Sequence, residues 1–274
     1  MLTRPIPKTG ELLPVIGLGT YQTFDVRLSR GARDRLTQVL DTLFAAGGSL
    51  VDSSPMYGRA EAVSGELIAA MGARGKAFLA TKVWTTGATA GAAEMERSLE
   101  RLSAPAIELM QVHNLVDWRT QLATCRAWQA EGRIKYLGVT HYTCQAFDEV
   151  AGVLRAEPIA FLQIPYNIEN REAERMLLPL AQDLGVAVLP NIPFGAGGLL
   201  RRLRRHPLPG WAAELGCASW SQVCLKFLLS HPAVTCIIPG TSDPAHMAEN
   251  AAAGTEPLPD GPMRERMAAC LAEL

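Results

Sequence analysis

Short apolar runs that each end in a polar or ionisable residue recur along this chain, and they constrain the fold more than any other feature. Leu50-Val51 leads into Asp52 and, through a short turn, Tyr57; AFLATKVW supplies Lys82, and IELMQVHN supplies His113. The runs are too short to be helices and too continuously apolar to be strands with a solvated face, so they read as strands buried on both sides. Further runs of this kind fall at residues 15–19, 136–140, 160–164, 186–191 and 234–239. Between them, apolar residues recur at helical spacing, as at Leu36, Val39, Leu40, Leu43 and Phe44. The other helical stretches span about residues 61–71, 91–101, 120–131, 144–156, 171–184, 219–230 and 244–253. Eight strands alternating with eight helices predict a closed parallel (β/α)8 TIM barrel with its helices outside. The Pro- and Gly-rich opening segment reads as a short hairpin or strap before the first barrel strand. Long loops are expected after the seventh strand, at 192–218, and near the C-terminus, at 254–263. An open doubly wound sheet is the competing fold. GLGTYQ has only two glycines of a dinucleotide-binding turn, which favours the barrel.

Composition narrows the function. The 274 residues fit one barrel domain spanning 1–274, and 48% hydrophobic residues supply a large core. With 26 Lys and Arg against 27 Asp and Glu, no overall field favours nucleic acid or an anionic membrane. No apolar run is long enough to span a bilayer and the N-terminus lacks a secretory plan, so the expected compartment is the cytoplasm. The six cysteines are dispersed without a C-x-x-C pair, which argues against disulfides and leaves no zinc-ligand spacing. No metal site is expected. The basic run Arg201, Arg202, Arg204, Arg205 and His206 reads as a solvated face before it reads as a phosphate clasp, and least as a nucleic-acid site.

In a parallel barrel, residues at the C-terminal strand ends share one rim, where active sites lie. Lys82 at a buried strand end needs an anionic neighbour, and Asp52 ends the preceding strand. Taken alone, the two could be a structural ion pair. Tyr57 adds chemistry: a phenol titrates near ~10, and an adjacent ammonium is expected to lower that value. Such a tyrosine can act as a general acid, and His113 on the same rim can polarise a carbonyl oxygen. Aromatic and apolar residues after strand ends or in loops, namely Tyr21, Phe24, Met56, Trp84 and Trp118, are candidate substrate contacts, and Trp211 is equally a core anchor.

The stretch Asp52-Ser53-Ser54-Pro55-Met56-Tyr57-Gly58, then ATKVW and LMQVHN, in this order on an eight-fold α/β pattern, resembles the aldo-keto reductase superfamily over nearly the whole chain. The resemblance implies that Tyr57 is the general acid/base, Lys82 and Asp52 its partners, and His113 the residue that orients the carbonyl. It implies an NADPH-dependent reduction of a small-molecule aldehyde or ketone, with NADH as an alternative, in a monomeric enzyme. Gly19, Thr20 and Gln163 match contacts to the nicotinamide end. Thr140 and His141 stand where the family has a serine and an asparagine. Asn191 stands where it has a stacking tyrosine, before the turn Pro193-Phe194-Gly195. IPGTSDPAHMAEN resembles the adenosine-phosphate segment and supplies Gly240, Thr241, Ser242, His246, Glu249 and Asn250. Gly240 and His246 replace a lysine and an arginine that many relatives carry there. Two functions of other classes share these residues: an NADPH-binding sensor subunit, and a cofactor-independent barrel lyase or isomerase.

Overall fold

A computed structural model describes all residues, Met1 to Leu274. Strands β1 (Thr3–Pro5) and β2 (Leu12–Pro14) pair antiparallel as the expected hairpin. Seven parallel strands follow in chain order: β3 (Leu18–Gly19), β4 (Leu50–Asp52), β5 (Phe78–Val83), β6 (Ile107–His113), β7 (Ile134–Thr140), β8 (Phe161–Pro165) and β9 (Ala187–Asn191). The eighth position is filled by residues 234–240, which join β9 and β3 only through isolated parallel bridges: Val188 with Val234, Ile16 with Ile237, and Gly19 with Gly240. Pro239 has no N–H to donate, which interrupts a regular ladder there. The approach is close enough that a Cβ on Gly19 would lie 2.8 Å from the Ile238 carbonyl oxygen. The ring is nevertheless closed, since Thr235 N–H donates to Val188 O at 2.9 Å and Gly17 N–H to Ile237 O at 2.8 Å.

The helices are α1 (Arg30–Ala45), α2 (Ala60–Ala70), α3 (Ala88–Arg101), α4 (Trp118–Ala130), α5 (Phe147–Ala156), α6 (Leu177–Asp183), α7 (Gly198–Leu203), α8 (Trp220–Leu229), α9 (Pro244–Ala252) and α10 (Gly261–Ala272). Local signals set several starts: the side chains of Ser29, Ser219, Asp243 and Asp260 each accept an N–H of the first turn. The helix expected over 171–184 is divided into a 3-10 turn at Glu172–Arg175 and α6. Pro179 accounts for the division, because proline is accommodated in a first helical turn but not in an interior.

Alternation along the strands sorts the core into two compartments. Leu50, Phe78, Leu109, Tyr136, Phe161 and Leu189 meet Ile6 and Leu13 of the hairpin in a cluster of 13 residues that fills the lower lumen. Their alternate neighbours Val51, Leu79, Met110, Leu137, Leu162 and Val188 join the helices in a cluster of 68. The lumen-facing series continues towards the strand C-termini as Asp52, Lys82, Gln111, His113, Thr140, Gln163 and Asn191. The lumen is thus apolar at its base and polar at its top. All six cysteines are free; Cys125, Cys217, Cys224 and Cys236 are buried, and burial pushes their thiols up, Cys125 to about 12 and Cys217 to about 11.

Candidate active site

Lys82 is completely buried and donates to Asp52 Oδ2 at 2.7 Å and to the Ser53 carbonyl at 2.7 Å. Asp52 Oδ1 accepts from Gln111 Nε2 and Gln163 Nε2, both at 3.0 Å. Charge pairing and these amide donors offset the desolvation of both ions. Gln111 has no place in the sequence-based site. Its signal was the period of IELMQVH, which puts it on the His113 face, two residues earlier. Gly138 on the next strand makes room for it, since a Cβ there would lie 2.9 Å from Gln111 Cγ. Burial works against the Lys82 ammonium, but Asp52 and then Tyr57 outweigh it and hold its pKa above the ordinary lysine value.

Tyr57 sits at the cleft wall with Lys82 Nζ 4.9 Å from its ring centroid. Burial of the phenol dominates and raises its pKa; Lys82 opposes this, and Asp52 adds to it. The direction is opposite to the sequence-based expectation. Lys82 is already neutralised by Asp52, so its field at the phenol returns less than burial removes. Tyr57 therefore remains protonated at neutral pH, as a proton donor requires. His113, 5% exposed, is pushed down to about 3 by burial, then by Lys82 and His141, so its imidazole is neutral. Its Nδ1 lies 3.0 Å from Ser54 Oγ. The rings of Tyr57 and His113 meet edge to face with centroids 6.0 Å apart.

These groups open onto a cleft of about 680 Å³. Gly19, Thr20, Thr140, Gln163, Asn191, Pro193 and Phe194 line it. Gly240, Thr241, His246, Glu249 and Asn250 line it as well, Gly240 being bridged to Gly19. Several of these polar groups are already engaged. Thr20 Oγ1 donates to the Asp52 carbonyl at 2.9 Å, Thr241 Oγ1 accepts from Asp243 N–H at 3.0 Å, and Glu249 Oε1 accepts from Ser221 Oγ at 2.7 Å. Two amide oxygens in the wall, Asn191 Oδ1 and Asn114 Oδ1, are buried with no donor. A smaller hollow of about 480 Å³ at the opposite strand ends surrounds the Arg74–Glu108 ion pair and contains none of the catalytic candidates.

Six candidate contacts are placed elsewhere. Phe24 is fully buried in the main core and cannot meet a substrate. Trp118 opens α4, packs against that core and carries Arg119 over its ring at 4.2 Å. His141 does not line the cleft: its Nδ1 accepts Thr143 N–H at 3.2 Å, and its neighbour Tyr142, stacked on it at 5.5 Å, is a lining residue. Gly195 and Ser242 lie beside lining residues without lining the cleft themselves. Trp211 is a core residue, 5% exposed. Among the expected contacts, Tyr21, Met56 and Trp84 do line the mouth, with Tyr21 4.9 Å from Tyr57 and Trp84 6.2 Å from His113 between ring centroids. From the basic run only Arg204 reaches the cleft, while Arg202 pairs with Glu169 at 2.6 Å.

A closed parallel barrel with tyrosine, lysine, aspartate and histidine assembled at its C-terminal rim defines a class of barrel oxidoreductase. The family model described as "Aldo/keto reductase family" matches residues 15–269, and the chain belongs to that family. It is an enzyme, an oxidoreductase of aldehyde or ketone carbonyls. It is 30% identical over 262 residues to methylglyoxal reductase YeaE of Escherichia coli K12, covering 92% of this chain and 89% of the relative. An aldo/keto reductase from Klebsiella pneumoniae, solved with NADP and acetate, superposes with a TM-score of 0.82 at 25% identity, over 96% of this chain and 93% of that one. The thermostable aldo-keto reductase Tm1743, solved with the inhibitor epalrestat, gives 0.82 at 26% identity, over 98% and 99%.

Proposed function

We propose that this chain reduces the carbonyl of an apolar or aromatic small molecule using NADPH, with Tyr57 as proton donor. The observation that carries the proposal is the convergence of Asp52, protonated Tyr57 and neutral His113 on the wall of one cleft, with Lys82 fully buried against Asp52 and Tyr57. The cleft suits a dinucleotide. Its orphaned amide oxygens on Asn191 and Asn114 call for N–H or O–H donors such as a carboxamide or a ribose. Gly19, Thr20, Thr140, Gln163, Asn191, Pro193 and Phe194 would hold the nicotinamide end. Gly240, Thr241, His246, Glu249 and Asn250 would hold the adenosine end, with Ser242 and Gly195 supporting their backbones. Arg204 is the one arginine or lysine that lines this cleft, and we assign it to the dinucleotide phosphates. The NADP in the Klebsiella pneumoniae structure supports NADPH. NADH is the second reading, favoured by the absence of lysine and arginine at Gly240 and His246 and by the exposed Asp243 carboxylate beside them.

When bound, the nicotinamide supplies a hydride to the carbonyl carbon. Tyr57 gives its phenolic proton to the carbonyl oxygen, and Lys82 stabilises the phenolate that remains. His113 donates a hydrogen bond to the same oxygen and fixes the carbonyl beside Tyr57. Asp52, held by Gln111 and Gln163, keeps Lys82 charged and in place. Four of the six most exposed large apolar side chains, Tyr21, Met56, Trp84 and Tyr142, rim this cleft, which favours a flat apolar carbonyl compound. No helix is long and apolar enough to cross a membrane, and the free thiols suit a reducing compartment such as the cytoplasm.

Fluorescence titration with NADPH and NADH, followed by turnover on a panel of aldehydes and ketones, tests the proposal. Tyr57→Phe is expected to lower kcat by at least ~10²-fold while the cofactor Kd stays within about twofold. Retention of most of the wild-type kcat would overturn the assignment of Tyr57.

A further inference from the structure

Ser54 follows β4 immediately after the Ser53 carbonyl that accepts from Lys82. Its own carbonyl accepts Tyr57 N–H at 3.0 Å, and its hydroxyl meets His113 Nδ1 at 3.0 Å. One residue therefore touches both the tyrosine turn and the imidazole that ends β6. Its side chain is completely buried, so water does not complete its hydrogen bonding.

The direction of the hydroxyl bond follows from counting protons. A serine hydroxyl has one proton to donate and two lone pairs to receive. Met56 N–H points at Ser54 Oγ at 3.3 Å, and a backbone amide can only donate. The remaining partner of Oγ is His113 Nδ1, and it is the only acceptor available to the hydroxyl proton. If Nδ1 carried a proton, both N–H groups would point at Oγ and the buried hydroxyl proton would have no acceptor. Buried polar hydrogens left without a partner are strongly disfavoured. A doubly protonated ring fails on the same count, and burial beside Lys82 also opposes it.

We propose that Ser54 is a positioning residue: it donates to His113 Nδ1 and holds the ring as the Nε2–H tautomer, so that a donor faces the cleft. The consequence rests on the carbonyl-reduction reading, in which a bare Nε2 lone pair would repel the substrate oxygen and Nε2–H binds it. The tautomer itself does not rest on that reading. Serine also resists tilting of the ring, because the Met56 amide fixes Oγ from the other side.

The test is a long-range ¹H–¹⁵N correlation spectrum of the labelled wild-type protein without substrate, in which His113 is assigned among the five histidines by its loss in His113→Asn. The expected result is a protonated Nε2 and an Nδ1 shift of a hydrogen-bond acceptor. In Ser54→Ala the Nδ1–H form should become populated, and kcat for carbonyl reduction should fall about tenfold with the cofactor Kd unchanged. Ser54→Cys, a weaker donor at nearly the same place, should fall between the two. A wild-type His113 protonated at Nδ1 overturns the proposal, and so does Ser54→Ala with an unchanged tautomer and unchanged kcat. If Ser54→Ala does not fold, the wild-type spectrum alone decides. Because the spectrum is read without substrate, failure of the tautomer assignment and absence of carbonyl turnover are separate results.

Discussion

Replacing Lys82 by methionine removes the ammonium from the base of the cleft and strands a carboxylate that is 2% exposed. Breaking a buried ion pair from one side costs about 3–5 kcal/mol, because the remaining charge stays desolvated. The two sides are unequal here. Asp52 without Lys82 still accepts from Gln111 and Gln163. Lys82→Met should therefore lie near the lower end, about 3 kcal/mol. Asp52→Asn is harsher: Lys82 keeps only the Ser53 carbonyl and faces an amide in place of a carboxylate. A loss of about 4–5 kcal/mol is expected at neutral pH. Its pH dependence carries a sign. In the wild type the raised Lys82 pKa contributes stability below the unfolded lysine value, and this is lost as pH rises through the folded value. Without Asp52, Tyr57 alone opposes burial and the folded pKa drops below the unfolded one, so the variant loses stability as pH falls. Asp52→Asn should thus be less destabilising at about pH 9.5 than at about pH 7. The double variant should be less damaged than the sum of the singles by about 2 kcal/mol or more. Urea unfolding followed by circular dichroism measures all three. Additivity within ~0.5 kcal/mol would refute the coupling of the pair, and an Asp52→Asn loss that does not change with pH would refute the desolvation argument.

Arg204→Met should raise the Kd of both NADPH and NADH, each about tenfold and more at low salt, while exposed Arg205→Met, outside the cleft, should leave both unchanged; an unaffected Kd in fluorescence titration would remove Arg204 from the phosphate site. The pH profile of carbonyl reduction should lack an alkaline limb below about pH 10, because the protonated form of Tyr57 is the active one and burial raises its pKa above the ordinary phenol value. A limb near neutrality in kcat against pH would show instead that Lys82 dominates the phenol.

The elements of the barrel and the gathering of Asp52, Tyr57, Lys82 and His113 at one rim were legible in the sequence because both are written in local periodicity. A strand buried on both sides declares itself as an apolar run, and a polar residue at its end has only the rim to go to. Asp52, Lys82 and His113 follow from that rule, and Tyr57 from the short turn after Asp52. The same period contained Gln111, two residues before His113, but nothing local shows that a glycine on the next strand admits its side chain. Loop residues were less legible. Phe24, Trp118 and Tyr142 are all aromatic residues after or near strand ends; Phe24 is in the core and Trp118 packs against it, while Tyr142 lines the cleft and His141 does not.

Local chemistry along the chain was enough to set the order of strands and helices and the rim to which the ionisable residues go, since side-chain direction along a strand and the capping of a helix depend on near neighbours; the family followed from the resemblance of its motifs. Three things waited on the folded barrel: the irregular bridges by which residues 234–240 close the ring, the glutamine partners of Asp52 and the serine partner of His113, and the direction of the Tyr57 pKa. Each depends on contacts between residues far apart in the chain. The phenol shows this most clearly. The sequence named its cationic neighbour, but the degree of burial and the neutralisation of Lys82 by Asp52, which outweigh that neighbour, exist only once the barrel has closed around them.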